Sequence, residues 1–259
     1  MDLGIKGKRA LVCAASKGLG RGCAEALAAE GVNLVINARS EGPLTQTAWE
    51  IADRYKVTVE PVAADITTDE GRAAVLKAAG DVDILVTNAG GPPPGQWTDW
   101  SRDDFIRAID ANMLSAVALM QALVPAMMEQ GWGRVVNITS QSVRSPIAEL
   151  GLSNSARAGL TGFVAGMSRQ VAPFGVCVNN ILPGIHDTDR ATSIDAGVAK
   201  KKDISPAQAR EQREASIPTR HYGRAEDFGA ACAFLCSDHA RFIVGQNLLL
   251  DGGIGNATI

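Results

Sequence analysis

The feature that most constrains this chain is a repeated change of period along it. Short apolar runs, largely β-branched and not alternating with polar residues, occupy residues 10–15, 32–37, 57–63, 83–87, 134–138, 176–182 and 246–250. Runs of that kind are strands covered on both faces, as in a parallel sheet flanked by helices. Helical patterns lie between them. Residues 20–30 are Ala-rich and stop at Gly31, placed as a helix C-cap glycine. Residues 71–79 are amphipathic. Residues 103–130 form a long pattern, entered through Ser101 and Asp104 in capping-box spacing. Residues 152–172 are rich in Ala and Gly, and 225–236 close the series. Strand–helix alternation over the whole length predicts an α/β fold, a doubly wound parallel sheet in a single domain spanning 1–259. No internal linker and no repeat interrupts it.

One stretch departs from the pattern. Residues 187–218 read as irregular and polar, between a strand and a helix, where a doubly wound fold keeps its ligand loops. Residues 200–224 hold seven Lys/Arg against three Asp/Glu. Two readings stand: a substrate lid whose basic residues receive an anionic ligand, or a solvated helical insert.

Composition removes several function classes. Hydrophobic residues at 46% and charged residues at 20% exclude a disordered chain, a collagen-like chain and a coiled coil. With 25 Lys plus Arg against 28 Asp plus Glu, and no basic block, a dedicated nucleic-acid binder is excluded. The nearest approach to a membrane span is 114–128, interrupted by Gln121 and Pro125, so no membrane partner is expected. Five cysteines are an odd count, and the stretch from Met1 to Arg9 is polar, so the expected setting is a reducing cytoplasm rather than a disulfide framework.

The first strand–helix junction carries Ser16-Lys17-Gly18-Leu19-Gly20. Glycines at such a turn let the backbone approach a pyrophosphate, which the free N–H groups of the helix start then hold. That makes the sheet Rossmann-type. Position 14, where a further glycine is expected, is Ala. The end of the second strand reports the cofactor. An acidic residue about 20 positions on would take the 2′-OH of NAD. Here Arg39 and Ser40 stand instead. An arginine suits a 2′-phosphate, and Lys17 offers a second charge, so NADP (NADPH) is expected ahead of NAD.

With further marks the chain resembles the short-chain dehydrogenase/reductase family, and more narrowly its 3-oxoacyl carrier-protein reductase branch. The marks are the glycine turn, Asp65, Thr87-Asn88-Ala89-Gly90, Asn112, Ser140, Pro183-Gly184 with Thr188, and Asp251-Gly252-Gly253. The resemblance implies that Asp65 and Ile66 contact the adenine, and that Asn88, Ala89 and Gly90 line the cofactor ribose. It implies that Pro183, Gly184, Ile185 and Thr188 lie at the nicotinamide, with Ile185 and Thr188 on its carboxamide. Ser140 would hydrogen-bond a substrate carbonyl, and Asn112 would organise a water in the proton relay. It also implies a homotetramer or dimer, built on the helices at 103–130 and 152–172, where Ala156, Gly159, Gly162 and Gly166 allow close approach.

Two members of the family's catalytic set are absent. The family places Tyr 13 residues after the catalytic Ser and Lys four further on; here those positions are Ser153 and Arg157. The register is secure, because Ala158-Gly159-Leu160 follows as the family's Ala-Gly-Leu does. A phenol can be tuned to exchange a proton near neutrality. A Ser hydroxyl is a far weaker acid and shorter by a ring. Arg157 can still hold ribose hydroxyls, but it does not deprotonate. His186, after Pro183-Gly184-Ile185, is one replacement donor; the other reading is a solvent-facing loop histidine. Arg144 could polarise a carbonyl, or be a surface charge. Cys232, Cys236 and His239 have metal-like spacing, but without a fourth ligand they read as helix packing, and no metal is expected.

Three functions fit. One is an NADP-dependent oxidoreductase acting on a carbonyl or alcohol, anionic on the lid reading, through an atypical acid–base site in which Ser140, Asn112, Ser153 and Arg157 stand at the catalytic positions. Another is an NADP(H)-binding sensor or assembly subunit with little turnover. The third is a lyase or isomerase on the same fold.

Overall fold

Seven strands form in the expected runs: β1 (Arg9–Val12), β2 (Asn33–Ala38), β3 (Val59–Ala63), β4 (Ile84–Thr87), β5 (Gly133–Ile138), β6 (Val176–Pro183) and β7 (Asn247–Leu250). All pair in parallel, in the order β3-β2-β1-β4-β5-β6-β7. The computed structural model describes residues 1–256, so residues 257–259 of the expected domain lie outside the described residues. Parallel neighbours need crossovers, and helices supply them on both faces. On one side α1 (Gly18–Ala29), α2 (Glu41–Tyr55) and α9 (Ala225–Leu235) cover a core built on Leu34, Ile36, Ile84 and Phe228. On the other, α3 (Asp69–Ala79), α5 (Ser115–Glu129) and α6 (Gly151–Val171) enclose Leu85, Leu119, Met120 and Val164.

Several expectations need correction. The strand expected over 10–15 ends at Val12, because Ala14 turns left-handed with φ +50°. The run at 57–63 is not buried on both faces. β3 is an edge strand with Glu60, Pro61 and Ala63 exposed, an edge being where a strand tolerates Pro. Helix α2 has no counterpart among the helical patterns; its Pro43 falls in the first turn, where a proline forfeits no helical hydrogen bond.

The long helix at 103–130 is three segments. These are α4 (Arg102–Ile109), a π-helical turn (Asp110–Leu114) and α5, with the Ser101–Asp104 capping box at its start as expected. By length and composition 102–129 would suffice to cross a membrane, with mean hydropathy 1.5 in its most apolar window. Leu119, Met120, Leu123, Val124 and Met127 are nonetheless spent on the core.

The segment 187–218 is not irregular. It forms α7 (Asp189–Lys202) and α8 (Pro206–Ala215), the second opened by a Ser205–Gln208 capping box. The pair closes over a small apolar nucleus of Ala191, Ile217 and Tyr222. Within it Asp195 is buried, accepting from Tyr222 Oη at 2.9 Å and from Arg213.

Of the four small residues on α6, Ala156 is fully buried within the chain and Gly159 abuts Met113 Sδ. Gly162 and Gly166 are exposed, with open space where a Cβ would be.

Candidate active site

Every expected site residue lies at the carboxyl edge of the sheet or in a helix abutting it. At the first junction Ala14 and Gly18 both adopt positive φ, +50° and +59°. A Cβ on Gly20 would overlap the Ala14 carbonyl, so this glycine is required for the tight turn. Ala14 takes the conformation that the expected glycine would adopt without strain. Lys17 caps α1 in an extended conformation, with no side-chain hydrogen bond to the helix start and no acid in the first turn. The leading N–H groups of α1 are therefore left without a side-chain acceptor, as an anion-binding helix start requires. The Ser16 carbonyl is tied to Thr47 Oγ1 at 3.0 Å, and Leu19 packs on the core. Lys17 Nζ reaches across to Asp189 Oδ2 at 2.6 Å, which links the turn to α7. Thr188 lies over the same turn, its Cγ2 3.5 Å from where a Gly18 Cβ would stand.

At the end of β2, Arg39 and Ser40 are exposed. Ser40 precedes α2 without a side-chain cap. Asp65 accepts from the Thr67 backbone at 3.0 Å and from its hydroxyl at 2.8 Å, which hold the carboxylate below the ordinary range; the nearby Arg39 charge adds a smaller pull. Arg39 forms no salt bridge with it. Ile66 is buried beside it.

The centre of the site is a buried guanidinium. Arg157 donates through Nη1 to the carbonyls of Ile138 and Thr139, both at 3.0 Å, through Nη2 to Ala89 at 3.3 Å, and through Nε to Ser153 Oγ at 3.1 Å. It thereby joins the ends of β4 and β5 to α6, with 6% of its surface exposed. Among the described residues no carboxylate pairs with it. Burial, and then the charge of Arg190, pull its pKa down to about 10, so it stays charged at neutrality. Ser153 is buried and spends its oxygen as that acceptor. Ser140 accepts from the Ser142 backbone at 3.1 Å, which leaves its own proton for a ligand.

Asn112 sits in the π-helical turn at 5% exposure. Its Nδ2 bonds the Ala108 carbonyl at 3.3 Å, and its Oδ1 is buried without a partner. A cavity of about 10 Å³ touches Asn88, Asn112, Ser115 and Arg157, a volume on the scale of one water. A second cavity of about 510 Å³ opens between the loop from Gly90 to Gly95 and α4, bounded by Trp100, Ala111, Asn112 and Leu152.

The replacement donors do not reach this centre. His186 is buried edge-on against Phe228, with Nδ1 3.3 Å from the Gly184 carbonyl; burial lowers its pKa, so it is neutral. It is therefore a buried side chain packed on Phe228 and Gly223, not a solvent-facing loop histidine. Arg144 turns to the Asn247 carbonyl. The metal-like trio separates: Cys232 and Cys236 are in the core, while His239 bonds the Asp2 carbonyl. Two lid arginines are neutralised within the lid, Arg210 by Asp187 and Glu214 and Arg213 by Asp195, and Arg224 beyond it is paired with Asp227. Sequence reasoning passed over Gln141, whose Oε1 is buried and unpartnered beside Gly184, and Arg190, whose guanidinium fills the space beside Gly91. Neither carries a local pattern; both emerge only from tertiary contact.

The family model described as Enoyl-(Acyl carrier protein) reductase matches residues 13–255. The chain belongs to the short-chain dehydrogenase/reductase family. Among family members, the 3-oxoacyl-(acyl-carrier-protein) reductase FabG of Vibrio cholerae is 32% identical over 97% of this chain and 99% of its own. The NADPH-dependent reductase BacG of Bacillus subtilis is 29% identical over 95% and 97%. L-sorbose reductase from Gluconobacter frateurii, solved with NADPH and L-sorbose, superposes with a TM-score of 0.94 at 27% identity, covering 99% of this chain and 100% of that one. A 7α-hydroxysteroid dehydrogenase solved with NADH superposes with a TM-score of 0.87 at 30% identity, over 97% and 96%.

Proposed function

We propose that this family member is an NADPH-dependent oxidoreductase that interconverts a small-molecule carbonyl and its alcohol without a phenolic acid. The observation that carries the reading is the cofactor cleft, where the uncapped start of α1 lies near a β2 end at which Arg39 makes no hydrogen bond or ion pair among the described residues. That pairing of free N–H groups with a free guanidinium fits a pyrophosphate and a 2′-phosphate. Ser16 to Gly20, Arg39 and Ser40 would hold the phosphates. Asp65 and Ile66 would flank the adenine, Asn88 to Gly90 and Arg157 the riboses, and Pro183 to Ile185 with Thr188 the nicotinamide. When bound, the nicotinamide supplies or accepts the hydride.

The rest falls to the protein's own groups. Ser140 Oγ donates to the substrate oxygen and orients it. Arg157 keeps a fixed positive charge beside that oxygen, which favours negative charge developing there. Asn112 and Arg157 line a space on the scale of one water, so the proton comes from solvent rather than from a titrating side chain. The pH dependence of kcat/KM for ketone reduction is accordingly expected to show no inflection between about pH 6 and 9, since Arg157 stays charged throughout that range and burial keeps His186 neutral. A sigmoid centred near pH 7 would show that a titrating acid has been missed.

NADPH consumption across a panel of ketones, β-ketoesters and ketoses tests the activity. One observation favours a second reading, an NADP(H)-binding protein of little turnover: Ser153 Oγ is already engaged by Arg157 Nε. Tight NADPH binding with no oxidation across the panel would select it. The exposed, open Gly162 and Gly166 support a homotetramer, or failing that a dimer, assembled through α6. A monomeric mass by light scattering at micromolar concentration would refute this. Five free, buried cysteines support a cytoplasmic setting.

A further inference from the structure

The acids around the cleft are already engaged. Asp189 pairs with Lys17, Asp187 with Arg210, Asp104 with Ser101 and Arg107, and Asp99 with the Gln96 backbone and Thr98. Two arginines that touch the loop from Ala89 to Gly91 have no carboxylate partner among the described residues. Arg157 is buried and bonded only to carbonyls and a hydroxyl. Arg190, in the first turn of α7, makes no hydrogen bond or ion pair among the described residues. Its Nη1 lies so close to Gly91 that a Cβ there would overlap it.

Both act on one short loop. Arg157 holds the Ala89 carbonyl from beneath, Arg190 covers Gly91, and Gly90 and Gly91 border the 510 Å³ cavity. The two charges are close enough for Arg190 to help lower the Arg157 pKa. Two like charges held together in this way, one of them desolvated, are relieved by an anion placed between them.

We infer that Arg190, with Arg157 behind it, forms a carboxylate site, and that the substrate is a small oxo acid or hydroxy acid whose carboxylate docks on Arg190 beside Gly91. The cofactor pyrophosphate is the other anion in the cleft, but it has the start of α1 over the glycine turn. Arg157 instead belongs to the end of β5, next to Ser140, where a substrate oxygen is held. This inference deepens the carbonyl-reductase reading and rests on it.

The test uses the full-length protein with NADPH and matched pairs: 2-oxo and 3-oxo carboxylates against their methyl esters. Wild type is expected to favour the acids in kcat/KM. Arg190→Gln should remove that preference by lowering the acid value about 10–100-fold, the effect of one charge-assisted hydrogen bond, while the ester value and the NADPH Kd stay within about twofold. Arg190→Lys should retain part of it. A wild type that treats ester and acid alike overturns the inference. So does an Arg190→Gln variant whose NADPH Kd rises as much as its acid kcat/KM falls, since Arg190 would then serve the pyrophosphate. If wild type reduces neither set, the reductase reading fails on these substrates, and the site is read by binding. The same oxo acids, titrated into the NADPH complex, should change its nicotinamide fluorescence in wild type and not in Arg190→Gln. No acid-specific change in wild type would refute the site independently of turnover.

Discussion

The double variant Ser153→Tyr/Arg157→Lys is expected to reduce simple ketones or β-ketoesters about 10²–10⁴-fold faster than wild type, the usual contribution of general acid catalysis. Ser140 and Asn112 keep their places on the β5 end and in the π-helical turn, so the remainder of a phenol–ammonium relay is present. The single variants should gain far less. A Tyr facing the Arg157 guanidinium lacks the tuned ammonium, and a Lys facing Ser153 has no phenol to tune. The exchange has a structural cost. Arg157 serves the carbonyls of Ile138, Thr139 and Ala89, and an ammonium cannot reach them in the same planar fork. A buried carbonyl left unpaired costs about 1–3 kcal/mol, so the double variant should melt lower. Steady-state rates together with an NADPH titration decide the matter. A variant that folds, binds NADPH and is no faster than wild type would mean that the site has been rebuilt for other chemistry.

Arg39→Ala should erase most of the discrimination between the two nicotinamide dinucleotides. Loss of charge-assisted hydrogen bonds to a 2′-phosphate is worth about 1.5–3 kcal/mol, or roughly 10–150-fold in relative affinity. Arg39 is exposed, which places the effect toward the lower end. Lys17 cannot compensate while it is held by Asp189. Titrating NADPH and NADH against both proteins is the measurement. Wild-type affinities that are equal, or tighter for NADH, would remove Arg39 as a phosphate ligand.

What the chain revealed beforehand, and what it concealed, follows from how local each signal is. The positions of the strands and the glycine turn are legible because burial between helices forces β-branched runs in the inner strands, and because Gly18 and Gly20 meet steric demands within their own junction, whereas the end of β1 is set by the turn at Ala14. Helix α2 shows only a short apolar stripe, Leu44, Ala48 and Ile51, in an otherwise polar stretch, and so leaves little signal. Helices α7 and α8 were hidden by polarity, since their contacts are ion pairs and a three-residue nucleus rather than an apolar stripe. The basic residues of that segment looked like ligand groups. Glu214 and Asp227 stand within four positions of their arginines, but Asp187 and Asp195 lie 23 and 18 positions from Arg210 and Arg213, and only folding pairs those. Arg190 is the converse case: nothing nearby in sequence marks it, and its significance is a contact with Gly91, 99 positions away.

The bond between Lys17 and Asp189 spans the cleft but is a weak fastener. Its partners keep 72% and 75% of their side-chain surface in water. An exposed pair contributes about 0–1 kcal/mol, which biases a two-state equilibrium by roughly fivefold at most. Salt shortens its reach further, the screening length being about 8 Å at physiological ionic strength. The α7–α8 flap is therefore stiff within itself, through Asp195, Arg213 and Tyr222, yet loosely moored to the glycine turn. A ligand that takes either Lys17 or Asp189 from the other therefore gives up no more than about 1 kcal/mol in breaking their bond.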